Sequence, residues 1–425
     1  MIQIIRADKQ QTLRLIARRE QEAPNVEAPV AEILKQVRTG GDAVLLNLEE
    51  RFDGVRLDGL SVTREEIEDA WNSVGEAFQK VLTDSAANIS AFHRKQVRNN
   101  FIITGENGAV LGQRITPIER AGIYVPGGTA AYPSSVLMNA LPAKIAGVKE
   151  IIMVTPPGKD GKIAPAILAA AKVAGVDRVF KIGGAQAVAA LAFGTESVPK
   201  VDKIVGPGNL YVATAKRQVY GIVGIDMIAG PSEILVIADD TANPRFVAAD
   251  LLSQAEHDRM ASAILVCTSE LLAKTVAEEI EQQLPSLIRQ EIARESIDRN
   301  GKIFVMDSLE DAVEISNAIA PEHLELAVDD PFGLMTRVTN AGSIFLGKHV
   351  PEALGDYYAG PNHTLPTSGT ARFSSPLSVD DFIKKSSFLY YTKEALAGAK
   401  DTVAAFAEKE GLTAHARSMT IRFEK

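Results

Sequence analysis

EILVIADDTANPRFVAADLLSQAEHDRMASAILVCTS, residues 233–269, holds two short Ile/Val-rich runs on either side of a helix-length segment rich in Ala and Leu. A continuous apolar run that ends in Asp or Ser reads as a strand covered on both faces, and run–helix–run reads as a βαβ unit. The alternation continues in both directions. Upstream, from about residue 121, lie AGIYVPGG, EIIMVTPPG, RVFKIGG and KIVGPGN; downstream lie KIFVMDS and GSIFLGKH. Helical patterns such as PAILAAAKVAG separate them. Eight runs over about 225 residues could form one sheet, but usual domain sizes favour two. The fold expected is α/β, with two doubly wound, incompletely Rossmann-like parallel-sheet domains.

The flanks read differently. Residues 1–100 are helical in pattern and contain no convincing strand. Thr63 with Glu66 makes a capping box, and Gly40-Gly41 interrupts a helix that begins near Ala28. After Ser378 no strand run recurs, and the charged tail is too short to build its own core. The expected organisation is a helical arm over 1–21, a first α/β domain from 22–123 plus 234–377, a second over 124–233, and a helical arm over 378–425.

Composition removes several function classes. The 425 residues carry a net charge of -9, which argues against a nucleic-acid partner, since phosphate binding needs a basic face. No apolar run approaches the ~18 residues of a membrane span. The opening MIQIIRADKQQTLRLIARRE has no apolar core of signal-peptide length, so a cytoplasmic protein is expected. The single cysteine, Cys267 in AILVC, reads as a small core residue. Any metal must therefore be held by His, Asp, Glu or Gln.

Parallel sheets bind ligands beyond the carboxyl ends of their strands. The turns there are Tyr124-Val125-Pro126-Gly127-Gly128, Gly183-Gly184-Ala185-Gln186, Gly206-Pro207-Gly208-Asn209 and Ala229-Gly230-Pro231-Ser232. Each by itself is an ordinary βα turn; four in series, each with a polar neighbour, suggest a ligand edge. None is a Rossmann fingerprint, because Tyr211 stands where the third glycine would be, and there is no P-loop. Gln254 and His257 stand i, i+3 on one helix face, a donor pair that suits zinc, although a polar helix face explains it equally well. Asp356 and His415 could complete a ligand set. Glu322-His323, after Pro321, offers two proton-transfer groups, or simply a solvated turn.

The runs ERAGIYVPGGTAAYPSSVLMNALPAKIAGV, GGAQAVAALAFGTESV, KIVGPGNLYVATAKRQV, IDMIAGPSEILVIAD, DLLSQAEHD, APEHLEL, GDYYAGPNHTLPTSGTARFSSPLSV and EGLTAHARSMTIR resemble the histidinol dehydrogenase family in order and spacing. The resemblance covers nearly the whole chain and is weakest over the first hundred residues. It implies one zinc per site, held by Gln254, His257, Asp356 and His415, and Glu322 and His323 as the proton-transfer pair. It implies NAD contacts from Tyr124, Gln186 and Asn209, and substrate contacts from Ser232, Gln254, His257, His323, Asp356, Glu410 and His415. His363 falls in a matching motif and is placed near the substrate. His93 and His349 receive no role.

The reaction implied is the oxidation of L-histidinol to L-histidine with two NAD, through the aldehyde, in histidine biosynthesis. In that chemistry His323 accepts the hydroxyl proton, Glu322 activates water for addition to the aldehyde, and zinc orients the substrate nitrogens. The resemblance also implies a homodimer with intertwined arms and shared sites. The rivals are a relative acting on another small alcohol, a zinc hydrolase with Glu322 activating metal-bound water, and a two-lobed binding protein.

Overall fold

The computed structural model describes residues 1–6, 8–17, 25–127 and 131–424. Residues 18–21 of the expected N-terminal arm, and Gly128, lie outside them. The chain divides into two compact units, Met1–Gln96 with Ile118–Phe382, and Val97–Pro117 with Ile383–Lys425.

The strands, in chain order, are β1 (Gln3–Arg6), β2 (Phe101–Thr104), β3 (Val110–Pro117), β4 (Arg120–Tyr124), β5 (Glu150–Thr155), β6 (Arg178–Lys181), β7 (Lys203–Val205), β8 (Gly224–Ile225), β9 (Glu233–Ala238), β10 (Ser262–Cys267), β11 (Lys302–Val305), β12 (His323–Ala327), β13 (Ser343–Leu346) and β14 (Ile383–Tyr390). The larger unit contains two parallel sheets, one ordered β1-β11-β10-β9-β12-β13 and the other β6-β5-β4-β7-β8. Both are doubly wound. In each, the chain runs outward over three strands and then restarts on the other side of the first, so the order reverses between β9 and β12 and between β4 and β7.

Period-two alternation sorts the residues of each strand between the layers. On β9, Ile234, Val236 and Ala238 face helices Pro244–Ala255 and Glu270–Gln283, while Leu235 and Ile237 face helix Leu309–Ile319. The five-stranded sheet behaves likewise, with Ile151 and Met153 in one core and Ile152 and Val154 in the other.

Several sequence expectations need correction. Residues 27–93 do not belong with the six-stranded sheet. Helix Glu27–Phe52 buries Val30, Ile33, Leu34, Val37, Leu45 and Leu48 in the core that holds Ile152 and Val154. Leu82, Ala86 and Ile89 of helix Gly75–His93 join the opposite core of the same sheet. Burial, not chain order, decides which sheet these helices cover. The first residues are an edge strand, β1, paired with β11. The tail is not wholly helical either: β14 pairs antiparallel with β3, and β3 with β2, giving the smaller unit a three-stranded sheet. β14 (IKKSSFLY) escaped recognition because its burial pattern shows no alternation.

Other local readings hold. Thr63 and Glu66 form the reciprocal capping box, and Gly41 has the non-helical φ of 55° that splits its helix. Helix Leu309–Ile319 ends at Ala320, in the left-handed conformation, just before Pro321.

Candidate active site

The Glu322-His323 pair sits on no turn: His323 is the first residue of β12, paired beside Ile234 of β9. Both side chains are buried. Ser343 N donates to the Glu322 carbonyl, and a Cβ on Gly342 would collide with that oxygen, so only glycine permits this approach of β13.

Three bonds orient the pair. Glu322 Oε2 accepts from Glu233 N at 2.8 Å. His323 Nδ1 lies 3.0 Å from the Glu233 carbonyl oxygen, to which it donates when it carries a proton. Nε2 is a buried nitrogen without a hydrogen-bond partner among the described residues, 3.7 Å from Asp356 Oδ1. The Gln254 amide lies 3.1 Å from His323 Nδ1. Helix Pro244–Ala255 runs back along the sheet and delivers Gln254, on its last turn, and His257, just beyond, to the amino ends of β9 and β12. Ser232, whose carbonyl accepts from Ser262 N, immediately precedes β9 at this same edge.

Short helix Glu352–Tyr357 supplies Asp356 and, one turn earlier, Glu352. Ligand atoms of His257, Glu352 and Asp356 all lie within 4.8 Å of one another. Glu352 is a site residue the sequence reading missed; its i, i+4 spacing from Asp356 was the available signal. It accepts from Ser253 Oγ at 2.8 Å and is buried. A nitrogen, two carboxylates and the Gln254 amide suit a zinc-like cation, which takes His N and carboxylate O donors.

Electrostatics follow from burial and crowding. Desolvation pushes Glu322 up to about 8 and Glu352 up to about 7. For His323 burial disfavours the cation, but Glu322, Asp356 and Glu352 outweigh it and push the imidazole up to about 10. Burial raises Asp356, yet His323 and His363 more than offset it and hold the group down to about 2. His257 and His363 are both lowered, burial being the main cause, and a neutral imidazole is the ligating form. His363 interacts with Asp356, His323 and His257, and its Nε2 is 3.4 Å from Ser135 Oγ. The structure thus brings His363 to this cluster.

The second group lies on the five-stranded sheet, at the carboxyl ends of its strands, where the sequence placed it. Tyr124 ends β4, and its hydroxyl accepts from Gly184 N at 3.2 Å. Gln186, on the first turn of helix Gly184–Phe193, is buried. Asn209 caps helix Leu210–Val219, its Oδ1 accepting from Tyr211 N and Val212 N, which leaves its amide NH₂ as the group free to donate. Gly206, at φ 112°, lets that turn close on the Tyr124 carbonyl. These residues form an open edge beside the β4/β7 reversal, which fits a dinucleotide.

Glu410 and His415 belong to the smaller unit and are exposed on it. His93 is buried, bonded to Gln96, and exposed His349 packs on Phe246.

Comparison with known proteins agrees with this geometry. The family pattern described as histidinol dehydrogenase matches residues 16–423. A histidinol dehydrogenase of Bacillus cereus is 59% identical over 400 residues, covering 94% of this chain and 93% of its own. That of Clostridium acetobutylicum is 57% identical over 407 residues, covering 96% and 94%. The crystal structure of the Elizabethkingia anophelis histidinol dehydrogenase superimposes with a TM-score of 0.95 at 41% identity, over 99% of this chain and 98% of that one. A pattern matched from end to end, identity well above half, and a superposition that leaves almost nothing uncovered place this chain in the histidinol dehydrogenase family.

Proposed function

We propose that the chain oxidises L-histidinol to L-histidine, through the aldehyde, with two NAD per turnover. The observation that carries this is His323 Nε2, a buried and unpartnered nitrogen beside the His257–Glu352–Asp356 group. As the alcohol becomes aldehyde, His323 accepts the hydroxyl proton at Nε2, while its protonated Nδ1 stays anchored on Glu233 O. NAD, received at Tyr124, Gln186 and Asn209, supplies the hydride acceptor. The aldehyde then adds water: Glu322, in its ionised form and held by Glu233 N, takes the water proton while His323 returns its own to the carbonyl oxygen, and the hydrate gives its hydride to the second NAD and a hydroxyl proton to His323.

Gln254, His257, Asp356 and His415 would hold the zinc, which would supply a fixed point for the substrate's amine and imidazole nitrogens and a charge that opposes the rise in proton affinity of His323. Ser232, His363 and Glu410 complete the substrate contacts. Family membership favours hydride transfer over the zinc-hydrolase reading. We infer a cytoplasmic enzyme, as use of NAD would suit; among the described residues no helix is long and apolar enough to cross a membrane.

We further propose a homodimer in which the smaller unit of each chain gives His415 and Glu410 to the partner's site. Support comes from that unit's composition: among the described residues its one buried apolar cluster is Ala404, Ala407 and Ala416, while Phe101, Ile102, Leu389 and Phe406 are exposed. Such a surface needs cover.

The reaction is tested by counting products. One histidinol should give two NADH with no free aldehyde accumulating. One NADH with released aldehyde would reduce the chain to a simple alcohol dehydrogenase.

A further inference from the structure

Glu49 is a fully buried carboxyl that the reaction above leaves unused. It lies on helix Glu27–Phe52, outside the strand-and-turn framework of the dinucleotide edge. Its Oε1 accepts from Gln186 Nε2 at 2.9 Å and from Gly183 N at 3.2 Å. Gly184 N, next in the chain, donates to Tyr124 Oη at 3.2 Å. Two of the three residues assigned to NAD therefore meet on one turn, Gly183-Gly184, and Glu49 holds that turn from behind. It also fixes the sense of the Gln186 amide: Nε2 faces Glu49, and Oε1 lies over Gly184, 2.7 Å from where a Cβ would stand.

We propose that Glu49 is a positioning residue for the dinucleotide, locking the Gln186 amide and the Gly183-Gly184 turn in the arrangement that receives NAD. This rests on the reading of Tyr124, Gln186 and Asn209 as NAD contacts. The other carboxyl oxygen, Oε2, is buried and has no hydrogen-bond partner among the described residues, and Asp53 is a neighbouring acid of this carboxyl. Burial pushes Glu49 up to about 8, which favours the neutral acid near pH 7. Glutamine reproduces the neutral acceptor, with a carbonyl toward Gln186 and Gly183. Methionine keeps the shape and leaves two buried donors without an acceptor.

The test is calorimetric titration of NAD into the intact protein, with bound zinc assayed in parallel. Glu49→Gln should bind NAD within about threefold of the parent, and Glu49→Met about tenfold more weakly, the scale of an orphaned buried donor. Zinc content and turnover at saturating NAD should stay unchanged in both. Should Glu49→Met not fold, Glu49→Asp, one methylene too short to reach both donors, is expected to show the same loss. Unchanged NAD affinity in Glu49→Met (or in Glu49→Asp where that replaces it) overturns the proposal, as does joint loss of NAD and zinc. Gln186→Ala separates the two levels. If it binds NAD normally, the assignment of the edge fails; if it loses NAD while Glu49→Met does not, only the role of Glu49 fails.

Discussion

His323 shows how a single residue gains a function from its surroundings. An imidazole in water titrates near neutrality and has no preferred tautomer. Here the Glu233 carbonyl lies within reach of Nδ1, and Nε2 is buried without a hydrogen-bond partner among the described residues. Replacing it with glutamine should lower turnover of both alcohol and aldehyde by about 10² to 10⁴, as for loss of a general base. Glu322→Gln should fall mainly on aldehyde oxidation, because water addition belongs to that half. Separate single-turnover rates for the two substrates check both; small and equal losses would return the pair to a structural part. Cys267 offers the contrast: burial pushes its thiol up to about 11, away from reactivity, as the sequence reading of a core residue expects.

At the scale of elements, the two sheets share one winding but use opposite edges. The five-stranded sheet gathers its candidate residues at the carboxyl ends of β4, β6 and β7, as the general rule for such sheets has it. In the six-stranded sheet the cluster lies at the amino ends of β9 and β12, because helix Pro244–Ala255 carries Gln254 and His257 back past the start of β9. The turn of the dinucleotide edge is held at both ends of one peptide pair. Lys216 Nζ donates to Gly206 O at 3.0 Å, Asp226 Oδ2 accepts from Gly206 N at 2.7 Å, and Lys216 and Asp226 form a buried ion pair. Gly206→Ala should therefore cost about 1–3 kcal/mol through its positive φ alone, with a further cost where the new Cβ meets the Tyr124 carbonyl. NAD binding should weaken more than zinc binding. A melting temperature and NAD affinity equal to the parent's would show that the turn tolerates a side chain.

For the whole molecule, the question is how the smaller unit is completed. Three alanines are a very small core for it, and its sheet exposes Phe101, Ile102, Ile103, Leu389 and Tyr390. A twofold dimer would bury such surface and build two equivalent composite sites. The prediction uses two inactive variants, His257→Asn and His415→Asn, unfolded and refolded together. If the two ligands come from different chains, half of the dimers are hybrids, and each hybrid has one intact site. Activity should then return to roughly a quarter of the parent's. A dead mixture with hybrid dimers confirmed by mass would assign both ligands to one chain.

What the sequence determined on its own is the class of fold; the reacting groups it offered only as candidates, whose roles the family resemblance implied. Eight apolar runs separated by helical patterns require parallel sheets, since only a strand covered on both faces is apolar throughout. Glu322, His323, Gln254 and His257 could be read as proton-transfer groups and metal donors from residue type and spacing. Tertiary structure decided where they act. β12 was illegible as a strand because HLELA carries Glu325, a buried acid whose Oε1 accepts from Glu352 N, a partner distant in the chain. Glu352 itself looked like any charged residue until folding placed it within reach of His257 and Asp356. Helix Glu27–Phe52 could have covered either sheet; the apolar faces it meets chose the five-stranded one, and so brought Glu49 under the dinucleotide edge. Local sequence fixes period and propensity, whereas burial and long-range hydrogen bonds are set by which surfaces meet, and that is settled only when the chain is packed.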